Sequence, residues 1–372
     1  MYSVNICRDI NGFRDLRENW DFLIDILPNK SIFLTWEWLF SWWEHFGQKR
    51  NLFIILVWDK EGVLVGIAPL FIHKTKYYYF PVREITFIGV GHSDRQDFLI
   101  KNNDPKILSK ILYQLMSYKN EWDIINLDQI PPGSILLTGV CNNNFDVFLE
   151  HSSICPFIKI QGRWEDYFNS LSYKFRRDLK NRTNKLNKSG SWEFRVKTSL
   201  INFRDELEKL VTIESKSRKT ETQKTFLSKS ENLKFLYEFF QFGAQKNWLD
   251  LTELSLNSAL IAYLIGFRFD NHYYAYNMAF DENFMEVSPG KILFQEKIKW
   301  CFQNYPQIQE FDLLRGDSYI KSKWTADNRQ HYRVIFFNKK LYTKIIRYIV
   351  IIIKRLRKKI MRLFLKFTQS HQ

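Results

Sequence analysis

Ser288-Pro289-Gly290-Lys291 has the residue types that open a helix: a small polar residue for the cap, proline for the first helical position, and glycine for room at the backbone. Free N–H groups and the helix dipole at such a start favour an anion, a pyrophosphate for instance. Without that chemistry the same four residues are simply a good helix start. Downstream, Phe311-Asp312-Leu313-Leu314-Arg315-Gly316 reads as a strand ending in charge. Asp312 can accept a proton or hold an amine there, and Arg315 can pair with a phosphate or carboxylate. The plainer reading is an Asp–Arg pair that ties down a turn. Tyr276 and Glu286 can take part in proton transfer, although a tyrosine in a strand is more often core.

A second constellation is cationic. Lys174, Arg176 and Arg177 begin a row continued by Lys180, Arg182, Lys185 and Lys188, on a helix whose apolar residues are Phe175, Leu179 and Leu186. Such a row suits an acceptor with phosphate (a sugar nucleotide, a lipid phosphate or a tRNA backbone) or is a solvated helix face. The seven histidines form no HExxH or HxxxH, and Cys7, Cys141, Cys155 and Cys301 are scattered without a CxxC, so no metal is expected. There is no GxSxG and no Walker A pattern.

These residues need a scaffold, and 372 residues predict two domains of roughly 150 each. A hydrophobic content of 45%, with 17% aromatic, fits well-packed cores. In the first half, strands are predicted at 4–7, 52–58, 63–73, 84–88, 98–100, 123–127 and 145–149, with helices at 13–27, 36–46 and 104–118. Thr35 caps the second of these helices, whose four tryptophans suit either sugar stacking or a buried face; their spacing favours the buried face. A boundary is expected at 156–164. Beyond it come helices at 164–171, 173–188, 201–217 and 232–246, a strand at 192–197, and a meander at 249–256, 258–269 and 273–280. A helix at 289–303 and strands at 309–314 and 331–338 close the fold. The class is mixed α/β, α+β in character, rather than doubly wound. The divisions are 1–160, 161–338 and a tail, 339–372.

Several blocks in this order resemble the GNAT acyltransferase superfamily, and within it the CelD-type, FemAB-like branch. They are Tyr173-Lys174-Phe175-Arg176-Arg177-Asp178-Leu179, Ala262-Tyr263-Leu264-Ile265-Gly266-Phe267-Arg268, 276–281, Ser288-Pro289-Gly290, 311–316, and Tyr319-Ile320-Lys321 with Trp324. The first half adds Phe33-Leu34-Thr35-Trp36-Glu37-Trp38, Trp42-Trp43 and Ile67-Ala68-Pro69-Leu70. The resemblance implies two GNAT-like domains in tandem, each a largely antiparallel mixed sheet flanked by helices. It implies acetyl-CoA or another acyl-CoA as cosubstrate, held by Ser288, Pro289, Gly290, Lys291, Arg315 and Gly316. It also implies that Lys321, with Lys323 as its competitor, contacts donor phosphate or the charge developing on the reacting carbonyl. The usual pyrophosphate loop, Arg/Gln-x-x-Gly-x-Gly/Ala, is absent, and Ser288-Pro289-Gly290 stands in its place. Acetyl-CoA, a longer acyl-CoA and aminoacyl-tRNA therefore all remain as donors.

The tail carries the charge. Of a formal +15, eleven basic residues lie between Lys339 and Lys366, leaving +4 for the rest, and no Asp or Glu follows Asn328. Leu341, Ile345, Ile349, Ile352, Leu356, Ile360 and Leu363 form an apolar stripe, with Arg347, Lys354, Arg357, Lys358 and Arg362 on the other side. That pattern predicts an interfacial helix for an anionic membrane over 339–367, with a partner helix or an RNA arm as the competing readings. No stretch reaches the roughly 18–20 apolar residues of a span, and the first residues are not a secretion signal. A reducing cytoplasm, at the inner face of the membrane, is the expected location.

The expectation is thus acyl transfer to an amine or hydroxyl of a small molecule, a sugar or an envelope-polysaccharide precursor, by direct attack without a covalent enzyme intermediate. An aminoacyl-tRNA-dependent transferase and a non-catalytic membrane scaffold are the alternatives; tRNA is the less favoured partner, and no DNA is expected.

Overall fold

The computed structural model describes residues 2–142, 147–199, 202–217, 225–316 and 318–369, apart from the side chains at 141, 142, 357–359 and 361–369. Strands β1 (Ser3–Cys7), β2 (Asn51–Trp58), β3 (Leu64–Tyr77) and β4 (Phe80–Phe87) pair as an antiparallel meander. Helices α1 (Ile10–Asp15), α2 (Arg17–Asp25) and α3 (Trp36–Phe46) lie between the first two strands. The short β5 (Leu99–Ile100) pairs beside β3. After helix α4 (Pro105–Ser117), strand β6 (Ile124–Ile130) returns parallel to β4. Helix α5 (Ile135–Asn142) and strand β7 (Val147–Lys159) follow.

The second half repeats that plan. After α6 (Trp164–Ser170) and α7 (Tyr173–Ser189) comes β8 (Trp192–Lys197), then α8 (Phe203–Ser215) and α9 (Ser230–Gln245). Strands β9 (Leu249–Leu256), β10 (Ala259–Phe269) and β11 (His272–Phe280) complete an antiparallel meander with β8. Helix α10 (Pro289–Asn304) then leads to β12 (Glu310–Asp312), parallel to β11. Each half is four antiparallel strands, a helix, and a strand parallel to the fourth. This is the tandem, mixed α/β arrangement expected from the sequence.

The halves are joined by exchanged strands. β7 follows the first plan in sequence but pairs with β12 of the second. β13 (Asn328–Phe337) follows the second plan but pairs with β6 of the first, and β7 and β13 pair with each other. The described strands therefore form one sheet. β7 runs ten residues past the predicted end at 149. Its Ser152 and Ser153 look like loop in sequence, but their hydroxyls donate to the Asp128 carboxylate and, at 2.7 Å, to Gln129 Oε1 across the sheet.

The α3 tryptophans settle as core. Trp36, Trp38, Trp42 and Trp43 are all buried, and Trp38 stands edge-on to Phe235 and Phe239 of α9 at 4.9 and 4.8 Å. Each such ring contributes roughly 2–3 kcal/mol by its burial alone. The cluster contains side chains of both halves, so one core spans them. Helix α11 (Leu341–Gln369) ends the described chain.

Candidate active site

β11 and β12 pair over three residues only, His272 to Glu310 through Tyr274 to Asp312. β11 then continues alongside β10 to Phe280, while the chain beyond β12 turns away at Leu314, whose φ is +60°. The divergence opens a cleft of about 550 Å³, walled by 275–278 and Phe280 on one side and 313–315 on the other. Side chains alternate across a strand, and a bulge in β11 between Ala275 and Asn277 resets that alternation at Tyr276. Tyr276 packs towards the α3/α9 core, 5.3 Å from Trp38, whereas Met278 and Phe280 pack towards the core under α10. Both kinds line the cleft, so it passes through the sheet.

One mouth is the start of α10. Pro289 takes the first helical position, as its sequence predicts. Ser288 occupies the cap position, but its hydroxyl makes no cap: in a left-handed conformation (φ +53°, ψ +60°) its Oγ donates to the Met285 carbonyl at 3.4 Å. The helix start is left without a side-chain cap, and its dipole is available to an anion. A Cβ at Gly290 would stand 3.1 Å from the Phe280 ring, so glycine lets α10 approach β11 closely. Lys291 lines the cleft and donates to Asp178 Oδ2 at 2.7 Å, fastening α10 to α7.

The other mouth comes from the first half, in a loop after β4 that the sequence reading passed over. Gly91, His92 and Asp94 line the cleft. Two α3 tryptophans hold this loop: Trp38 Nε1 donates to Ser93 Oγ at 2.8 Å, and Trp42 Nε1 donates to His92 Nδ1 at 3.0 Å. His92 Nε2 then donates to Asn232 Oδ1 at 2.9 Å, which fixes a neutral tautomer, and burial lowers its pKa further. Asp94 is buried, and burial pushes its carboxyl above the ordinary value against the pull of Arg315. Its oxygens accept from the Arg315 backbone N–H at 2.7 Å and pair with Arg315 Nε at 3.1 Å. The local signal was Gly89-x-Gly91, whose glycines have φ of +92° and +89° and punctuate a loop rich in polar residues.

Asp312, in contrast, does not line the cleft. It is 1% exposed and pairs with Arg95 at 2.5 Å, and its Oδ1 accepts from the Leu314 N–H at 2.7 Å. Burial would raise its pKa, but Arg95 and Arg329 pull harder and the carboxyl stays below its ordinary value. Such a group is a poor base. The turn-tying pair of the sequence reading therefore exists with exchanged partners: Asp312 with Arg95, Arg315 with Asp94.

Lys321 lines the cleft, yet its ammonium donates to the carbonyls of Leu313, Leu314 and Arg315 at 2.8, 3.1 and 2.8 Å. All three of its protons are committed, so here it positions the loop beyond β12. Gly316, with φ +111°, packs beside this ammonium and bonds through its N–H to Ile154 O at 3.0 Å. Arg315 Nη2 donates to Gly91 O at 2.5 Å, closing the same seam. Tyr276 donates to His92 O at 3.3 Å, and burial holds its phenol well above the usual range. Glu286 points away, 81% exposed and paired with Lys185 at 3.0 Å. Lys174 and Arg177 are exposed on α7, and Arg176 donates to Asn169 at 2.9 Å. Lys323 stacks on Tyr319, 4.2 Å from the ring centre. Among the described residues no His, Cys, Asp or Glu group is disposed to hold a metal ion.

Residues 173–322 match the profile described as an acetyltransferase (GNAT) domain. Among solved structures the chain is similar to FemX, at 12% identity and a TM-score of 0.60 over 88% of this chain and 98% of that one. A conserved protein of unknown function from Bacteroides thetaiotaomicron VPI-5482 matches at 11% identity and a TM-score of 0.58, over 89% and 100% of the two chains. L-PGS from Bacillus licheniformis matches at 11% and 0.53, over 88% and 94%. At these identities the likeness is one of fold. No curated protein matches the chain by sequence.

Proposed function

We propose, from the match of residues 173–322 to an acetyltransferase (GNAT) domain, that this protein transfers an acyl group from an acyl-CoA to an amine or hydroxyl. The observation that carries the reading is the through-sheet cleft, with an uncapped helix start at one mouth and Asp94 at the other. In this reading the 161–338 half supplies the donor wall, the 1–160 half the acceptor wall, and 339–372 the attachment to a membrane. Gly290 and Lys291 take the donor phosphates, and the free edge of β11 lies along the acyl-bearing arm. Asp94 removes the proton as the acceptor attacks the thioester carbon; the C–S bond then breaks and the thiolate leaves, taking up a proton. Direct attack suits the described thiols, since burial pushes Cys7 to about 11 and Cys155 and Cys301 to about 12, and none of the three lines the cleft. Lys321 holds the far wall, and Tyr276 shapes the cleft between the two mouths. We assign the acceptor to the sugar or envelope-polysaccharide precursors, at the cytoplasmic face of the membrane.

The row on α7 and the missing glycine-rich loop favour a second donor, an aminoacyl-tRNA. Calorimetric titration of the full chain with acetyl-CoA, longer acyl-CoAs, free CoA and aminoacyl-tRNA separates the two. Micromolar binding of a CoA, weakened about tenfold by Gly290→Val through its clash with Phe280, is the expected result. Binding of the charged tRNA alone would transfer the reading to the second donor, and binding of neither would sink both.

A further inference from the structure

We propose that α11 lies on an anionic phospholipid surface and that the groove beneath it takes a lipid headgroup phosphate. The helix has two apolar faces. One is docked: Thr343, Ile346 and Val350 are buried, the last two against Val82, Ile335 and Phe337 of the sheet. The other is uncovered. Leu341, Ile345, Tyr348, Ile352, Leu356 and Ile360 fall on one side of the helix and remain between 39% and 75% exposed. Six large apolar side chains in a row on a helix of about 43 Å make a continuous patch rather than scattered exposure. Of the stripe read from the sequence, Leu341, Ile345, Ile352, Leu356 and Ile360 belong to the exposed row and Ile349 is half-buried, whereas docked Ile346 and Val350 were not part of it; Leu363 lies outside the described side chains, as do Arg357, Lys358 and Arg362.

Charge selects the occupant. A groove of about 610 Å³ runs between α11, β13 and the end of α4. Lys119, Lys339, Lys344 and Arg347 line it over Trp122 and Phe336, and no carboxylate does. Lys119, Lys339 and Lys344 have no ion-pair partner among the described residues. Tyr348 belongs both to the groove and to the exposed row, so the groove opens beside the apolar patch. With the patch sunk among acyl chains, the lysines stand at headgroup depth, the geometry of an interfacial helix with its cations on the flank. Among the described residues no helix is long and apolar enough to cross a bilayer, so the helix lies along the surface. An RNA would use the cations but leave the row of Leu, Ile and Tyr in water.

The test is vesicle flotation of the full chain, with phosphatidylcholine vesicles against vesicles that also contain phosphatidylglycerol, and with no acyl donor or acceptor present. Its failure would remove the membrane attachment included in the proposed function and leave the acyl-transfer chemistry of the cleft untouched. The expected result is binding to the anionic vesicles that falls with salt. Ile345→Glu with Ile352→Glu, both at exposed positions, should abolish it while the circular dichroism spectrum is unchanged. Lys119→Gln with Lys344→Gln should weaken it about fivefold per lysine. Inorganic phosphate in millimolar excess should compete weakly. Complete competition by phosphate with the Glu variant still bound would make the groove a soluble-phosphate site and overturn the proposal. So would equal binding to neutral vesicles, or tRNA binding that ignores the Ile substitutions and is lost in Lys119→Gln with Lys344→Gln.

Discussion

In the proposed reaction Asp94, which lines the cleft, takes the proton of the attacking acceptor, and its environment suits it to receive one. Burial raises its carboxyl, and Arg315 keeps it oriented through two contacts. Asp94→Asn retains an oxygen for the Arg315 N–H but cannot take a proton. We expect kcat to fall by about 100-fold, the ordinary scale for loss of a general base, with donor affinity little changed. In the unaltered protein kcat/KM should rise with pH as Asp94 ionises, at a pKa above its ordinary 3.8, and in the variant that limb should vanish. Persistence of the limb would reduce Asp94 to a positioning residue for Arg315. At this scale residue types were legible in the sequence and partnerships were not. Tyr276, Gly290, Lys291, Arg315 and Lys321 do converge on one cleft. But the ion pairs that hold it, Asp94 with Arg315 and Arg95 with Asp312, join residues over 200 positions apart, and no local pattern encodes such a pair.

Elements with their own local chemistry were the legible ones. Thr35 accepts from the Trp38 N–H at the start of α3, as its position predicts, and Pro289 opens α10. The second half of β7 was missed because neighbours, not propensity, make it a strand, whereas β12, expected at 309–314, forms over the three residues held between β11 and β7. The loop after β4 is likewise defined by what grips it, and this gives a test. Gly89 has φ +92°, and a Cβ there would stand 2.3 Å from Ser93 Oγ, the group that receives the Trp38 N–H. Gly89→Ala should therefore cost about 1–3 kcal/mol and shift Asp94 as well. Urea unfolding and turnover measured together should show activity lost beyond the unfolded fraction. Gly62 is the control: its φ is +78°, but a Cβ there meets nothing within 4 Å, so Gly62→Ala should carry the backbone cost alone and leave turnover intact.

For the whole molecule, the exchange of β7 and β13 places a buried polar seam between the halves, and that seam makes stability depend on pH. Burial holds His272 and His331 neutral, each at about 4 against an ordinary 6.5. In the unfolded chain both imidazoles gain a proton below 6.5, while the folded ones wait until about 4. Between those values the unfolded state binds more protons, so this contribution is full above 6.5 and is lost as pH falls towards 4. Asp97 works in the opposite sense. Burial raises it to about 7 from 3.8, so the folded state keeps a proton the unfolded state has released, and that contribution is lost as pH rises through 7. Two imidazoles against one carboxyl leave a net difference of one proton across the overlap, a slope of about 1.4 kcal/mol per pH unit from these groups. Urea titrations at about pH 5 and about pH 6.5 should find the protein less stable at the lower value, with the difference roughly doubled in Asp97→Asn. An unchanged difference in that variant would mean that Asp97 is ionised in the folded seam, held by Ser134 Oγ at 2.7 Å and the Phe98 N–H at 2.8 Å. The acid sensitivity would then belong to the histidines alone.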